Sequence, residues 1–269
     1  MPQDLLTRSS SGYMLLLIDI GNTSTTIGFH DKSGIRDILR LGTVTGKRGV
    51  REYSYILKGV MEEHDMDAPE GAVICSVVPE VTALFTGAIK KTFGIEPLNV
   101  TDKLRTGLKF RIKNPGELGP DRIANAVAAR RLYEGPLIVV DFGTATTFCL
   151  VTARGDYRGG AIMPGIGLAA NSLAAATARL PRVELKCPSR VLGRDTNENV
   201  LSGVIFGHAG AVERIVSGIR EEAGGEIMVV ATGGLSGLVA PHLKVIDHFD
   251  PLLTLEGLRF IYELNTEKV

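Results

Sequence analysis

Two short pieces of this chain carry one pattern and stand nearly half the chain apart. Leu16-Leu17-Ile18-Asp19-Ile20-Gly21-Asn22-Thr23 is echoed by Ile138-Val139-Val140-Asp141-Phe142-Gly143-Thr144-Ala145. Each is an apolar run, an Asp, one more apolar residue, then Gly and a small polar residue. A continuous apolar run reads as a strand buried on both faces. Its repetition predicts one supersecondary unit used twice, and so two domains within 269 residues. Each copy would end a buried strand in a carboxylate and a tight Gly turn. A carboxylate can hold a hydrated cation, and a turn without a Cβ lets backbone N–H groups approach a phosphate. Two such copies facing each other predict a nucleotide held between them.

The surrounding pattern repeats as well. Leu15–Asp19, Thr25–His30 and Ile35–Thr43 read as three successive strands, with Asp31-Lys32-Ser33-Gly34 as a turn. Arg51–His64 reads as a helix with Tyr55, Leu57, Val60 and Met61 turned inward. A strand at Gly71–Val77, a helix at Val81–Phe93 and a strand at Pro97–Val100 come next. Residues 101–118 show no clear period. Asp121–Tyr133 reads as a helix with Ile123, Ala124, Val127, Ala128 and Leu132 on one face, and Pro120 suits its first turn. Three strands then recur at 137–141, 146–152 and 157–163. Helices are expected over 168–180 and 197–222, strands at 226–232 and 245–248, and a terminal helix over 251–265. Asp195 and Glu198 have the spacing of a capping box. A three-stranded meander and then helix–strand alternation, done twice, resembles the actin-like plan. The expected fold class is therefore α/β: two duplicated actin-like (ribonuclease H-like) domains with mixed sheets and a nucleotide cleft between them. The expected division is a disordered extension over 1–13, an N-terminal domain over 14–118 and a C-terminal domain over 119–269.

Charge and composition exclude several classes. Lys plus Arg equals Asp plus Glu at 30 each, so there is no basic footprint for nucleic acid. Aromatic residues are 6% with no Trp, which leaves no base-stacking platform. Cys75, Cys149 and Cys187 are isolated, so neither a disulfide framework nor a zinc site is indicated and a reducing cytoplasm is expected. Asp4 and Arg8 interrupt the N-terminus, and Met14–Ile18 is too short for a signal-peptide core. Ala161–Ala178 is uncharged, but Pro164, Gly165 and Gly167 break it, so no membrane span is expected there.

The chemistry-bearing candidates cluster at the repeats. No P-loop is present: Gly42-Thr43-Val44-Thr45-Gly46-Lys47-Arg48 has the wrong spacing and lacks the Ser or Thr after Lys. Asp19–Thr26 instead gathers a Gly turn with amide and hydroxyl groups from Asn22, Thr23, Ser24, Thr25 and Thr26. A triphosphate held without a P-loop lysine needs a cation, and Mg²⁺ takes one or two carboxylates and keeps its waters. Asp19 and Asp141 are the natural pair, the plainer reading being that each caps its own turn. Gly119-Pro120-Asp121-Arg122 opens a helix, where an acidic residue is commonly a cap. Arg122 could clamp an anionic substrate group. Gly233 and Gly234 after a strand would let a flat base lie against the backbone. Gly165–Ala170 mimics a dinucleotide turn but reads better as close packing into an Ala-rich helix. The histidines form no metal spacing, and His208, in a helix rich in Gly203, Gly207 and Gly210, reads as packed or solvent-facing. That Gly-rich helix fits either a twin or the chain's own sheet.

In order along the chain, Asp19-Ile20-Gly21-Asn22-Thr23, Ser76-Val77-Val78-Pro79, Asn114-Pro115, Gly119-Pro120-Asp121-Arg122-Ile123-Ala124-Asn125, Asp141-Phe142-Gly143-Thr144-Ala145, Gly159-Gly160, Pro164-Gly165, Thr196 and Thr232-Gly233-Gly234 resemble the type III pantothenate kinases. The resemblance runs from about Met14 to Asn265. It implies ATP-dependent phosphorylation of pantothenate to 4′-phosphopantothenate, the first step of coenzyme A synthesis. It also implies ATP, Mg²⁺, a monovalent cation (K⁺ or NH₄⁺) and a homodimer. By the same resemblance Asp19, Ile20, Gly21, Asn22, Thr23, Ser24, Thr25, Thr26 and Thr144 would bind ATP, with Asp19 reaching Mg²⁺ through water. Gly119, Pro120, Asp121, Arg122 and Thr196 would bind pantothenate, Thr196 across the dimer interface. Asp121 would be the catalytic base, and Asp141 would hold the monovalent cation. The sequence departs from the family at Ile112, where many members carry Tyr. Two other readings remain open: a kinase of the same fold for another small hydroxy compound, and a non-catalytic regulator that keeps the fold.

Overall fold

The computed structural model describes residues 13–266 and divides into two compact units. The extension expected over 1–13 lies, but for Tyr13, outside the described residues. The first unit runs to Val100 and includes the chain's end from Asn265; the second spans Thr101–Leu264.

The first unit opens with the meander β1 (Leu15–Ile20), β2 (Ser24–Asp31) and β3 (Gly34–Gly42). It continues through α1 (Val50–Glu63), β4 (Gly71–Ser76), α2 (Pro79–Phe93) and β5 (Leu98–Asn99). The sheet order is β3-β2-β1-β4-β5, with β2 antiparallel to β1 and β4 parallel to it. Parity along β1 decides what each side chain does. Leu16, Ile18 and Ile20 join Ile27, Phe29, Leu57 and Phe85 in one core beneath α1 and α2. Asp19 lies at an odd position and so faces away from that core, beside Leu15 and Leu17. The rings of Tyr53 on α1 and Phe85 on α2 lie 4.2 Å apart, joining the two helices.

The second unit begins earlier than the expected boundary after Leu118. Residues 101–118 contain the short strand β6 (Lys109–Phe110) and a 3-10 turn at Pro115–Glu117, and they belong to this unit rather than to the first. Next come α3 (Pro120–Leu132), β7 (Leu137–Phe142), β8 (Ala145–Val151) and β9 (Asp156–Pro164). After these stand α4 (Ile166–Ala176), α5 (Thr196–Ala223), β10 (Met228–Thr232), α6 (Ser236–Val239), β11 (His248–Phe249) and α7 (Leu253–Thr266). The sheet order is β11-β10-β7-β8-β9-β6. Apart from β6 this is the first sheet again, strand for strand. β6 runs parallel to β9, and Arg111 is ion-paired to Asp156 at 3.0 Å. A two-residue strand carries no readable period, so local sequence does not announce it.

Parity works on β7 as on β1. Ile138, Val140 and Phe142 pack with Phe148, Ile205, Val212 and Val216 under α4 and α5. Val139 and Asp141 point to the opposite face, where α3 packs on β7 and β8. A Cβ at Gly257 of α7 would collide with the Ala124 backbone of α3, so these two helices touch main chain to main chain. Asp195 caps α5 by accepting the Glu198 N–H at 2.8 Å, while the Glu198 carboxylate takes the Arg194 N–H instead of completing the expected box. By length and composition α5 is apolar enough to cross a membrane, but half of its apolar window is buried within the fold.

Two inward-facing assignments are corrected. Tyr55 is 68% exposed, whereas Tyr53, two residues earlier, is 1% exposed. Leu132, at the last turn of α3, is 44% exposed. Both errors have one cause: a helical pattern read without its partner leaves the phase free by a residue or two. Tyr53→Ala should therefore cost about 3–5 kcal/mol, the range for truncating a buried aromatic. Tyr55→Ala should change stability by less than about 0.5 kcal/mol. Urea unfolding of the two variants checks this contrast.

Candidate active site

In the first unit, Asp19 sits opposite Thr26 near the end of β1, partly buried. The turn after it is closed by the Gly21 N–H bonding the Ser24 carbonyl at 2.9 Å. That N–H is engaged, so any phosphate would meet the exposed tip residues Asn22, Thr23 and Ser24. Ile20 is buried in the core, and Thr25 is buried with its hydroxyl 3.0 Å from that of Thr43. Thr43 is a contributor that no sequence motif marks. Its hydroxyl donates to the Gly21 carbonyl at 2.7 Å and its N–H to the Thr23 carbonyl at 3.0 Å. The segment after Gly42 that fails as a P-loop thus braces the Gly21 turn.

The second unit repeats the hairpin with one residue fewer: three residues, Gly143–Ala145, link Phe142 to Thr146, against four between Ile20 and Thr25. Thr144 is exposed at its tip, and its carbonyl accepts the Gly165 N–H at 3.0 Å. A Cβ at Gly165 would strike the Gly143 and Thr144 carbonyls, so this glycine serves close packing, as expected. Gly233 is equally constrained. It has φ +98, and a Cβ there would lie 2.6 Å from the Asp141 carboxylate and from the Phe142 backbone. Here the glycine closes the floor under Asp141.

Asp141 is met from above by α3. Asn125 Nδ2 donates to its Oδ2 at 3.0 Å, and Thr254 Oγ1 of α7 donates to Asn125 Oδ1 at 2.7 Å. Asn125 is 1% exposed, so the middle of this relay is buried between the half-buried Asp141 and Thr254. Burial above all, and the nearby negative charge of Asp121, push the Asp141 carboxyl up to about 7, while the Asn125 bond pulls it down. Among the described residues no lysine or arginine is paired with it. A half-buried carboxylate near a second carboxylate and without a cationic partner among the described residues is a donor set suited to a hard cation.

Asp121 comes to the same place because α3 packs on the second sheet. Gly119 precedes the helix as its N-cap, Pro120 takes the first position, and Asp121 is second. Asp121 Oδ1 accepts the Arg122 N–H at 2.9 Å, and a Cβ at Gly119 would clash with that same oxygen. Arg122 Nε donates to Cys149 Sγ at 3.3 Å. The second unit therefore brings Gly119, Pro120, Asp121, Arg122 and Asp141 together. Thr196 stands apart, exposed at the start of α5 on a groove between α4 and α5 lined by Met163, Leu173, Gly203 and Gly207. His208 is buried against Thr146 at 2.9 Å. Ile112 lies beside Gly159 on β9.

The raised Asp141 gives a signed pH dependence. Unfolded, the group ionises near 3.8; folded, near 7. Folding then favours the protonated form, so stability falls as pH climbs through that window. Asp141→Asn, a neutral isostere, should remove the fall. In buffer without K⁺, Na⁺ or NH₄⁺, its Tm should rise above that of the parent progressively from about pH 4 to 7. Parallel Tm profiles would mean that Asp141 is not held protonated by its surroundings.

The chain matches the type III pantothenate kinase family over residues 15–218. It is 46% identical over 255 residues to the type III pantothenate kinase of Moorella thermoacetica, covering 94% of this chain and 100% of that one. Identity to the type III pantothenate kinase of Dehalococcoides mccartyi is 43% over 253 residues, covering 93% and 96%. Among solved structures, a conserved Baf-family protein from Campylobacter jejuni aligns with a TM-score of 0.56 at 20% identity, over 92% of this chain and 97% of that one. The ethanolamine utilization protein EutJ from Carboxydothermus hydrogenoformans aligns with a TM-score of 0.53 at 15% identity, over 92% and 89%. These distant likenesses speak to fold alone, and the duplicated mixed sheets are those of the actin-like α/β fold.

Proposed function

The chain belongs to the type III pantothenate kinase family, and on that premise we propose that it transfers the γ-phosphoryl group of ATP to the primary hydroxyl of pantothenate. The observation that supports this reading is the packing of α3 over β7 within one unit, which brings the negative charge of Asp121 near enough to act on the Asp141 carboxyl. The hydroxyl oxygen attacks the γ-phosphorus, its proton passes to Asp121, and the bond to ADP breaks with its electron pair. Asp121 suits the role because the Arg122 N–H engages Oδ1 and fixes the carboxylate, leaving Oδ2 for the hydroxyl. Phosphoryl transfer demands orientation more than a strong base, so a carboxylate at a helix N-terminus is adequate. Arg122 is the cation available to a substrate oxygen, with Gly119 and Pro120 shaping the approach.

Asn22, Thr23, Ser24 and Thr26, with Asp19, Gly21 and Thr144, are assigned to ATP, Asp19 through a water of Mg²⁺. Ile20 and Thr25 act by holding the turn rather than by touching the nucleotide. Asp141 would hold K⁺ or NH₄⁺, which would offset part of the negative charge of the two carboxylates. Thr196 and the open face of α5 are assigned to a homodimer. Among the described residues a Cβ at Gly203, Gly207 or Gly210 would meet nothing within 4 Å, so no contact described within the chain demands these glycines. Among the described residues Cys75, Cys149 and Cys187 form no disulfide, which supports work in the cytoplasm.

ADP release should require pantothenate and should be faster in K⁺ than in Na⁺. Asp121→Asn should lower kcat by about 10²–10⁴ while ATP binding, read by calorimetry, is retained. Another hydroxy compound outcompeting pantothenate in a substrate panel would reassign the substrate. Absence of ADP release with every compound tried would favour the regulator.

A further inference from the structure

Arg122 is held by a pair of side chains that no motif above assigns. Cys149 lies in the middle of β8 at a buried position, opposite Val139 on β7 and Gly160 on β9. Its Sγ accepts from Arg122 Nε at 3.3 Å and from the Tyr157 hydroxyl at 3.1 Å. The Arg122 guanidinium carbon also stands 6.0 Å from the centroid of the Tyr157 ring. Burial pushes the Cys149 thiol up, so its sulfur is a neutral acceptor here and not a thiolate. Tyr157 is fully buried.

The backbone is bent to make this contact. In an unbroken ladder, Cys149 opposite Gly160 and Leu150 opposite Gly159 would place Arg158 opposite Val151, on the face of Cys149. The register instead shifts by one residue, and Tyr157 pairs with Val151. Gly159 takes φ +113, a conformation that side chains rarely adopt. The bulge turns Arg158 out to solvent and swings Tyr157 onto the face that carries Cys149 and receives Arg122. β6 then locks Tyr157 from behind: the Arg111 N–H bonds its carbonyl at 2.8 Å, and the Phe110 ring meets its ring edge-on at 6.0 Å.

We propose that Cys149 and Tyr157 are positioning residues for Arg122, holding Nε so that the terminal nitrogens of the guanidinium are aimed at an oxygen of the substrate. Engaging Nε selects one edge of the fork and one rotamer of a long side chain. Without that anchor the cation remains but its direction is lost, and binding weakens with it. This rests on the assignment of Arg122 to pantothenate binding under the proposed function.

The test is a double-mutant cycle read in KM and kcat. Cys149→Ala should raise the KM for pantothenate about tenfold, the size of one bond to a charged donor, with the KM for ATP unchanged. Cys149→Ser, which restores an acceptor, should recover most of the loss. Tyr157→Phe removes one oxygen, keeps the ring, and should shift the same parameter in the same direction. In an Arg122→Lys background, which has no Nε–H fork, Cys149→Ala should add no further loss. A structural role alone would repeat the loss in that background and move both KM values. An unchanged pantothenate KM in Cys149→Ala and Tyr157→Phe, with a fully active parent, overturns this inference and leaves the proposed function standing. Failure of the parent to turn over pantothenate overturns both.

Discussion

The structure turns on a carboxylate placed half-buried near the tip of a strand. Asp141 occupies a position where the parity of β7 points it away from the apolar core and under α3. A charge there is costly unless it is met, and the fold meets it in part. Asn125 donates one bond, Thr254 braces Asn125, and Gly233 lets the backbone of the next strand pass without a Cβ. The charge itself stays unmet, next to a second carboxylate on the helix above. Under the proposed function, a site that recruits a cation has reason to leave that imbalance in place.

The two units share a frame and differ in what covers it. Both sheets have the same strand order, and both put an Asp on the face opposite the α1–α2 or α4–α5 core. The second unit also carries elements that the first does not, and two of them shape the site. One is α3, which in chain order trails the first unit's strands; the other is β6, which extends its sheet. Duplication thus supplied two similar Gly turns. The uneven sharing of helices made them different. The first hairpin keeps a longer, more exposed polar tip, and the second lies at the end of the strand that α3 covers.

Much of this is legible from residues alone. The apolar runs, the Gly turns and the N-terminal proline of α3 each declare themselves within a few positions. The spacing of Asp19 and Asp141 declares the duplication. Features that depend on a distant partner do not declare themselves. Tyr55 and Tyr53 are both aromatic residues on one helix, and only the position of Phe85 decides between them. Residues 101–118 carry no period because their strand is two residues long and exists only by pairing with β9. Thr43 reads only as the last residue of a strand, and its bonds to Gly21 and Thr23 arise because the end of β3 returns to the first turn. The bulge at Arg158 leaves no local mark beyond a pair of glycines, yet it decides which residue faces Cys149.

The sequence by itself determined that this chain would build one α/β unit twice and end a strand of each in an aspartate. Those features rest on hydrophobic period and glycine conformation, which act over a few residues. Tertiary structure decided that Asp121 would stand beside Asp141, that Arg122 would lean on a thiol, and that one aspartate would be pushed toward neutrality. Each of these depends on desolvation and on contacts between residues far apart in the chain, and no local pattern encodes which helix will cover which face.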